Sequence, residues 1–315
     1  MAARKGIDLN YLQLDQLFDV LNPSSDLAEL FARMKREDLG VDGIDLTTEA
    51  MVDSDEVVEA EIIARKDGTV SGLRTIPGLL DAYFGKKGGM AVTELTEDGF
   101  VVAPGDVVAK LCGPLANVLV VERPILNLMG RLCGVATLTA EYVAAVKGSN
   151  ASIYDTRKTT PGLRGLEKYA VRCGGGRNHR MGLFDAMLVK DNHLAGVEAA
   201  ELTAVLNDRL ARIRRKRKHS AQFVEVEVDT LEQLEAVLAS DGGLVDIVLL
   251  DNMGPKRLCE AVGMRDAARP EIELEASGGV NLATAAMIAS TGVDRISVGA
   301  VTHSVTVLDL GLDIQ

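Results

Sequence analysis

Apolar residues fall at helical spacing near the start of the chain, at Tyr11, Leu14, Leu17, Phe18 and Leu21, and again from Leu27 to Met34. The run EDLGVDGIDLTT reads next as a glycine-broken turn leading into a Thr-rich extended segment. From Glu56 to Leu73 the pattern is that of β-strands, with Lys66-Asp67-Gly68 as a hairpin turn. A second hairpin is predicted from Ala91 to Val102 around Glu97-Asp98-Gly99, and GDVVAKLCG adds another short strand. Strands with helices to one side, and no βαβ alternation, predict an α+β sandwich for residues 1–122.

Glu122-Arg123-Pro124 marks a transition. Pro124 suits the first turn of a helix whose apolar face is Ile125, Leu128, Met129, Leu132 and Val135. That reading puts Arg123 at a helix N-terminus, where the macrodipole disfavours a cation unless an anion joins it. Short β-type runs then alternate with helical ones: SIYDTRK and LRGLEKYAV, DAMLVKDN and a long helix, FVEVEVD and LEQLEAVLA. VDIVLLDN, EIELEASGG with NLATAAMIAS, and DRISVGAV complete six alternations. Near-continuous apolar strands joined by helices imply a parallel sheet covered on both faces. An α/β barrel over residues 123–306 fits this count, with a doubly wound open sheet as the alternative. Arg157, Lys158, Lys190, Glu227, Asp251 and Ser277 each fall at the carboxyl end of a predicted strand, where barrel active sites are built. Leu308 to Ile314 alternates with period two, and the strand at 307–315 is expected to join the sheet of the first domain.

Composition narrows the picture. Apolar residues make up 47 % of the 315, yet aromatics are only 3 % and Trp is absent, so the core is aliphatic. No apolar run is long enough to span a bilayer, and MAARKGIDLN lacks the apolar segment of a signal peptide, which together predict a cytoplasmic protein. Cys112, Cys133, Cys173 and Cys259 form no C-x-x-C pair and read as buried small hydrophobes rather than a zinc site. A net charge of −12 argues against nucleic acid as a partner. The basic run from Arg209 to His219 has no interleaved aromatics and reads as a solvated helix end and loop. In that acidic background Arg157, Lys158, Arg164, Lys168, Arg172, Arg177, Arg180 and Lys190 are gathered in one stretch with His179, His193 and Gly174-Gly175-Gly176. Such a concentration makes a focused positive field suited to a small polyanion.

The runs DTRKTTPGLR, LEKYAVRCGGG, NHR and KDNH, with ERPILN, VEVEVDTLEQL, VLLDN, EASGG and ISVGA, resemble the quinolinate phosphoribosyltransferase family from about Gly99 onward. The resemblance implies an N-terminal α+β sandwich followed by an incomplete α/β barrel, the type II phosphoribosyltransferase fold. It implies quinolinate and phosphoribosyl pyrophosphate as substrates, Mg²⁺ as cofactor, and a homodimer with a shared active site. Carried onto this chain, Arg123, Arg157, Arg180 and Lys190, with His179, form the carboxylate-binding cluster, Arg123 coming from the neighbouring subunit. Arginine suits that task because its planar fork matches a carboxylate. Lys158 and Thr159 border both substrates, and Lys158, Lys190, Glu227 and Asp251 are the catalytic set. Glu227 and Asp251 match the acidic pair that serves Mg²⁺, with Glu225 as a rival two residues earlier on the same strand face. Ser277-Gly278-Gly279 and Val298-Gly299-Ala300 resemble the 5′-phosphate loops.

Alternatives stay open at this stage. Lys158 or Lys190 could be a Schiff-base lysine. The substrate could be another aromatic acid, or the barrel could bind a phosphosugar without catalysis. The chain also departs from the family at Cys133-Gly134, where Ser-Gly is usual, in the loop at 40–48, and at Val305-Thr306-Val307. His303 is expected to be a hydrogen-bonded structural residue.

Overall fold

The computed structural model describes residues 8–53, 56–86, 88–216 and 221–315, apart from the side chains of 213–216. In chain order come α1 (Leu14–Leu21), α2 (Ser24–Leu39), α3 (Leu46–Met51), β1 (Val57–Ala64) and β2 (Gly68–Thr69). They are followed by α4 (Ile76–Phe84), β3 (Ala91–Glu94), β4 (Val101–Val102), β5 (Val107–Pro114) and α5 (Leu115–Ala145). Alternation then begins with β6 (Ser152–Tyr154), α6 (Arg164–Cys173), β7 (Met187–Val189), α7 (Ala199–Lys216), β8 (Val224–Val228) and α8 (Leu231–Leu238). It ends with β9 (Ile247–Asp251), α9 (Pro255–Ala268), β10 (Glu273–Ser277), α10 (Leu282–Ala289), β11 (Arg295–Ser297), α11 (Ala300–His303) and β12 (Leu310–Ile314). The two compact units interleave along the chain: one is Leu12–Ala140, Thr159–Gly175 and Val301–Gln315, the other Met1–Tyr11, Glu141–Lys158 and Gly176–Ala300. Among the described residues no helix is long and apolar enough to cross a membrane.

The first unit is built on an antiparallel sheet of order β12-β1-β5-β3. Ala60, Ile62 and Ala64 alternate into its core, and Leu17, Phe18 and Leu21 of α1 are buried in the same unit. Neither expected hairpin forms. Both edges of β1 are taken, by β5 and β12, so β2 pairs instead with β4, and β3 with β5. The Thr-rich segment is also not extended but helical, as α3. The Asp45 side chain accepts the Thr47 and Thr48 amides at 3.0 and 3.1 Å, and this cap outweighs the β preference of adjacent threonines. Two of the four cysteines are exposed, against expectation: Cys112 lies on the outward face of β5 and Cys259 on α9. Cys133 and Cys173 are buried, and burial pushes the Cys133 thiol up to about 12.

Helix α5 starts directly after β5, so Pro124 lies inside it and Arg123 is not at a helix N-terminus. The first turn is made by Leu115 onward, and proline costs the helix one N–H to the Val120 carbonyl without ending it. Arg123 is two-thirds exposed, with Glu122 at 3.4 Å. Helix α6 packs on α1 through an edge-to-face contact of Phe18 and Tyr169, whose ring centroids are 5.0 Å apart. The Tyr169 hydroxyl donates to Asp98 Oδ2 at 2.8 Å, and the Leu73 amide to Oδ1 at 3.1 Å.

Burial pushes the Asp98 carboxyl above its ordinary range despite those donors. The folded chain therefore holds its proton more tightly than the unfolded one. The associated stability is fully present below the unfolded pKa and is lost as pH rises through the folded value. Asp98→Asn keeps the shape and cannot titrate, so the stability gap between wild type and variant should narrow from about pH 4 to about pH 8. Urea unfolding at both pH values checks this; a gap that widens with pH would contradict it.

In the second unit the six barrel strands run parallel in the order β6-β11-β10-β9-β8-β7. That order is the cyclic sequence of a barrel left open between its first two strands, β6 and β7. A doubly wound sheet would reverse direction partway and is excluded. The free edge of β6 is met by Arg177, whose amide donates to the Ile153 carbonyl at 2.8 Å and whose carbonyl accepts from Asp155 at 3.0 Å.

Candidate active site at the carboxyl ends of the barrel strands

Strand register decides which side chains share the barrel face. Glu227 is in register with Leu249, and Asp251 with Ser277, so alternation puts Glu227, Asp251 and Ser277 on one face at adjacent strand ends. Lys190 follows β7 directly, and its Nζ lies 2.5 Å from Glu227 Oε2. Asp251 Oδ2 accepts from Asn252 Nδ2 at 2.6 Å, while the Asn252 amide reaches the Ser277 carbonyl at 2.9 Å. Asn252 holds φ at +52°, and Gly278 beside it holds +90°. A Cβ on Gly278 would sit 2.2 Å from Asn252 Oδ1, so the two loops can close on each other only with glycine there. Gly279 also has positive φ, but a Cβ there would meet nothing within 4 Å, which leaves its backbone open to a ligand. Val298 is buried and its amide donates to the Tyr154 carbonyl at 2.9 Å, fixing the turn through Gly299 and Ala300.

Arg157 and Lys158 are exposed on the loop after β6, and the Lys158 amide donates to Thr156 Oγ1 at 3.0 Å. Arg180 is buried, with Nη1 3.3 Å from the Ala186 carbonyl. Burial first, then the charge of Arg157, lowers the Arg180 pKa, so the two guanidiniums repel each other. A dianion between them would relieve that repulsion. In the other unit Arg164 Nε donates to Thr159 Oγ1 at 3.0 Å. The next residue, Thr160, gives its amide and hydroxyl to fully buried Glu167 at 3.0 and 2.7 Å, and Arg131 adds a contact at 2.8 Å. Arg123 lies in that unit too. His303 is exposed, with Nδ1 2.7 Å from Ser304 Oγ.

The segment carrying His179 and Arg180 is irregular, yet its amides are not left to solvent. From Asn178 to Gly182 every one is donated to a side chain: Asn10 Oδ1, Asp155 Oδ1, His179 Nδ1, then Asp185 Oδ2 and Oδ1, all at 2.7–2.9 Å. Asp155 Oδ2 also accepts from Asn178 Nδ2 at 2.7 Å. His179 Nε2 faces Glu225 at 2.8 Å and Glu275 at 3.5 Å, while Arg295 Nε reaches Glu275 at 2.8 Å and its guanidinium stacks 3.8 Å from the Tyr154 ring centroid. All four ionisable groups are buried. Burial, and then the charge of Glu225, push Glu275 above the ordinary carboxylate range. Burial opposes a charged His179 ring, but Glu275 and Glu225 outweigh it and raise its pKa. The ligand atoms of His179, Glu225 and Glu275 lie within 4.8 Å of one another, a spacing that would suit a cation. Arg295 already supplies positive charge to that group, which makes it an ion-pair network.

Glu225 is thus sunk in the barrel interior, below the rim where Glu227 sits. Sequence reasoning passed over Asp155, Asp185, Glu275 and Arg295. The last two carried a usable signal, since a charge inside an apolar strand is costly unless paired. Of the basic run at 209–219, residues 217–219 lie outside the described residues.

The chain matches the family model described as quinolinate phosphoribosyl transferase, C-terminal domain, over residues 135–313, and its N-terminal counterpart over 45–133. It is 43 % identical over 282 residues to the carboxylating nicotinate-nucleotide pyrophosphorylase of Mycobacterium leprae, covering 90 % of this chain and 95 % of that one. A probable enzyme of the same name from Bacillus subtilis is 37 % identical over 294 residues, covering 91 % and 93 %. The solved nicotinate-nucleotide pyrophosphorylase of Francisella tularensis superposes with a TM-score of 0.81 at 32 % identity, covering 99 % of this chain and all of that one.

Proposed function

Because the chain belongs to the quinolinate phosphoribosyltransferase family, we propose that it transfers phosphoribosyl from phosphoribosyl pyrophosphate to quinolinate with loss of CO₂, giving nicotinate mononucleotide and pyrophosphate. The observation that carries the reading is the cluster at adjacent strand ends, Glu227 paired with Lys190 and Asp251 in register with Ser277, to which the family resemblance adds Arg157 and buried Arg180. Quinolinate has two adjacent carboxylates beside its ring nitrogen, and planar guanidiniums match them. Lys190 adds a third cation to that set. Lys158 borders both substrates.

In the first step the pyridine nitrogen forms a bond to the anomeric carbon while the carbon–oxygen bond to pyrophosphate breaks, the leaving oxygen taking the electron pair. Glu227 and Asp251 stabilise the oxocarbenium character that develops between those bonds. The same two carboxylates would hold Mg²⁺, which when bound neutralises the leaving pyrophosphate. Hard oxygen donors on adjacent strand ends fit that ion. In the second step the carbon–carbon bond to the carboxylate next to nitrogen breaks, its electrons pass into the cationic ring, and the ring carbon takes a proton. Ser277-Gly278-Gly279 and Val298-Gly299-Ala300 receive the 5′-phosphate, the open backbone at Gly279 being the support for this. The reading includes a cytoplasmic homodimer in which Arg123 of one chain completes the site of the other.

Quinolinate, mixed with phosphoribosyl pyrophosphate and Mg²⁺, is expected to release CO₂, and nicotinate is not expected to be consumed. Comparable turnover of the two acids would overturn the dicarboxylate assignment.

A further inference from the structure

Both ring nitrogens of His179 are engaged by the protein: Nδ1 accepts the Arg180 amide at 2.8 Å, and Nε2 faces buried Glu225 at 2.8 Å. The ring also meets Phe223 edge-on, with centroids 5.4 Å apart, and is itself buried. An imidazole so enclosed has no nitrogen left to offer a substrate carboxylate. What it does hold is the backbone of Arg180, a buried residue of the proposed carboxylate-binding cluster. The neighbouring amides are held in the same manner by Asp155 and Asp185, so the loop takes its shape from side chains rather than from a strand or helix. We propose that His179 is a positioning residue for quinolinate binding, acting through Arg180, with Glu225 orienting its ring from below. This rests on the functional reading above and deepens it: the carboxylate specificity of the rim is set by a buried Glu225–His179–Arg180 connection.

Two substitutions separate the ring's two ends. Asn at 179 places an acceptor where Nδ1 lies, and Gln places a donor where Nε2 lies. His179→Asn should therefore keep the quinolinate KM within about threefold of wild type, whereas His179→Gln, which leaves the Arg180 amide unpaired, should raise it about tenfold or more. The KM for phosphoribosyl pyrophosphate should be little changed in both. The reverse order would put Nε2 on the substrate and overturn the proposal, as would equal losses or no loss in the two variants. If either variant fails to fold, the wild type decides alone. With ¹⁵N-labelled histidine, only four ring systems are present. The His179 nitrogen resonances should keep their ligand-free pattern when quinolinate is added, and a large shift at Nε2 would overturn the proposal. Wild type inactive on quinolinate would sink the functional reading itself; an active wild type with the reversed order sinks only the role of His179.

Discussion

Glu227→Ala is expected to lose about two to three orders of magnitude in kcat while its melting temperature barely moves. The large effect follows from its place at the end of β8, on the face shared with Asp251, where charge develops as pyrophosphate leaves. The small one follows from its partner. The Lys190 side chain is 43 % exposed, so once Glu227 is gone the ammonium turns to water, and such rim pairs contribute only about 0–1 kcal/mol. Asp251→Ala should behave alike. Steady-state kinetics at saturating Mg²⁺, paired with thermal melts, test both. Near-normal kcat in either variant would remove that carboxylate from the catalytic set.

The opposite pattern is expected at Glu167. Its side chain is fully buried and takes the Thr160 amide and hydroxyl and the Arg131 guanidinium, which also donates to the Thr302 carbonyl. Removing one partner of a buried pair leaves the other charge uncompensated, at a cost of about 3–5 kcal/mol. Glu167→Ala should accordingly lower the urea midpoint steeply with an unchanged m-value. A loss below about 1 kcal/mol would mean that Arg131 finds another partner or water. The contrast with Glu227 is one of depth: the same kind of ion pair is structural where water is absent and functional where it is present.

Much of the barrel was legible because its signals are local. Apolar runs ending in Lys190, Glu227, Asp251 and Ser277 place their own strand ends, and the structure puts each beside or at the last residue of a strand. The hairpins were misread because pairing is not local: the turn at Lys66-Asp67-Gly68 is compatible with a hairpin, but β12 and β5 compete for the same edges and win. Pro124 misled in another way. Proline favours a first helical turn without requiring one, and a helix held by buried residues on both sides, such as Val121, Ile125 and Met129, tolerates it. The supporting groups around His179 were hidden because their partners come from distant segments. Asp155 and Asp185 look like ordinary loop acids until the chain folds back and aims amides at them.

The pairing of β12 with β1 has a consequence for how this molecule is made. Residues 57–64 leave the ribosome early, but the strand that covers one of their edges, 310–314, is translated only after the whole barrel. Throughout that interval the nascent chain carries a strand with an open hydrogen-bonding edge, a template for pairing with other chains. Lys110, reaching Glu59 at 2.7 Å and Glu61 at 3.0 Å, leaves that neighbourhood studded with charge, which discourages such pairing. The sheet is therefore a late-closing structure: its first strand waits for one of its last, and a ribosome stalled inside the barrel would present it unfinished.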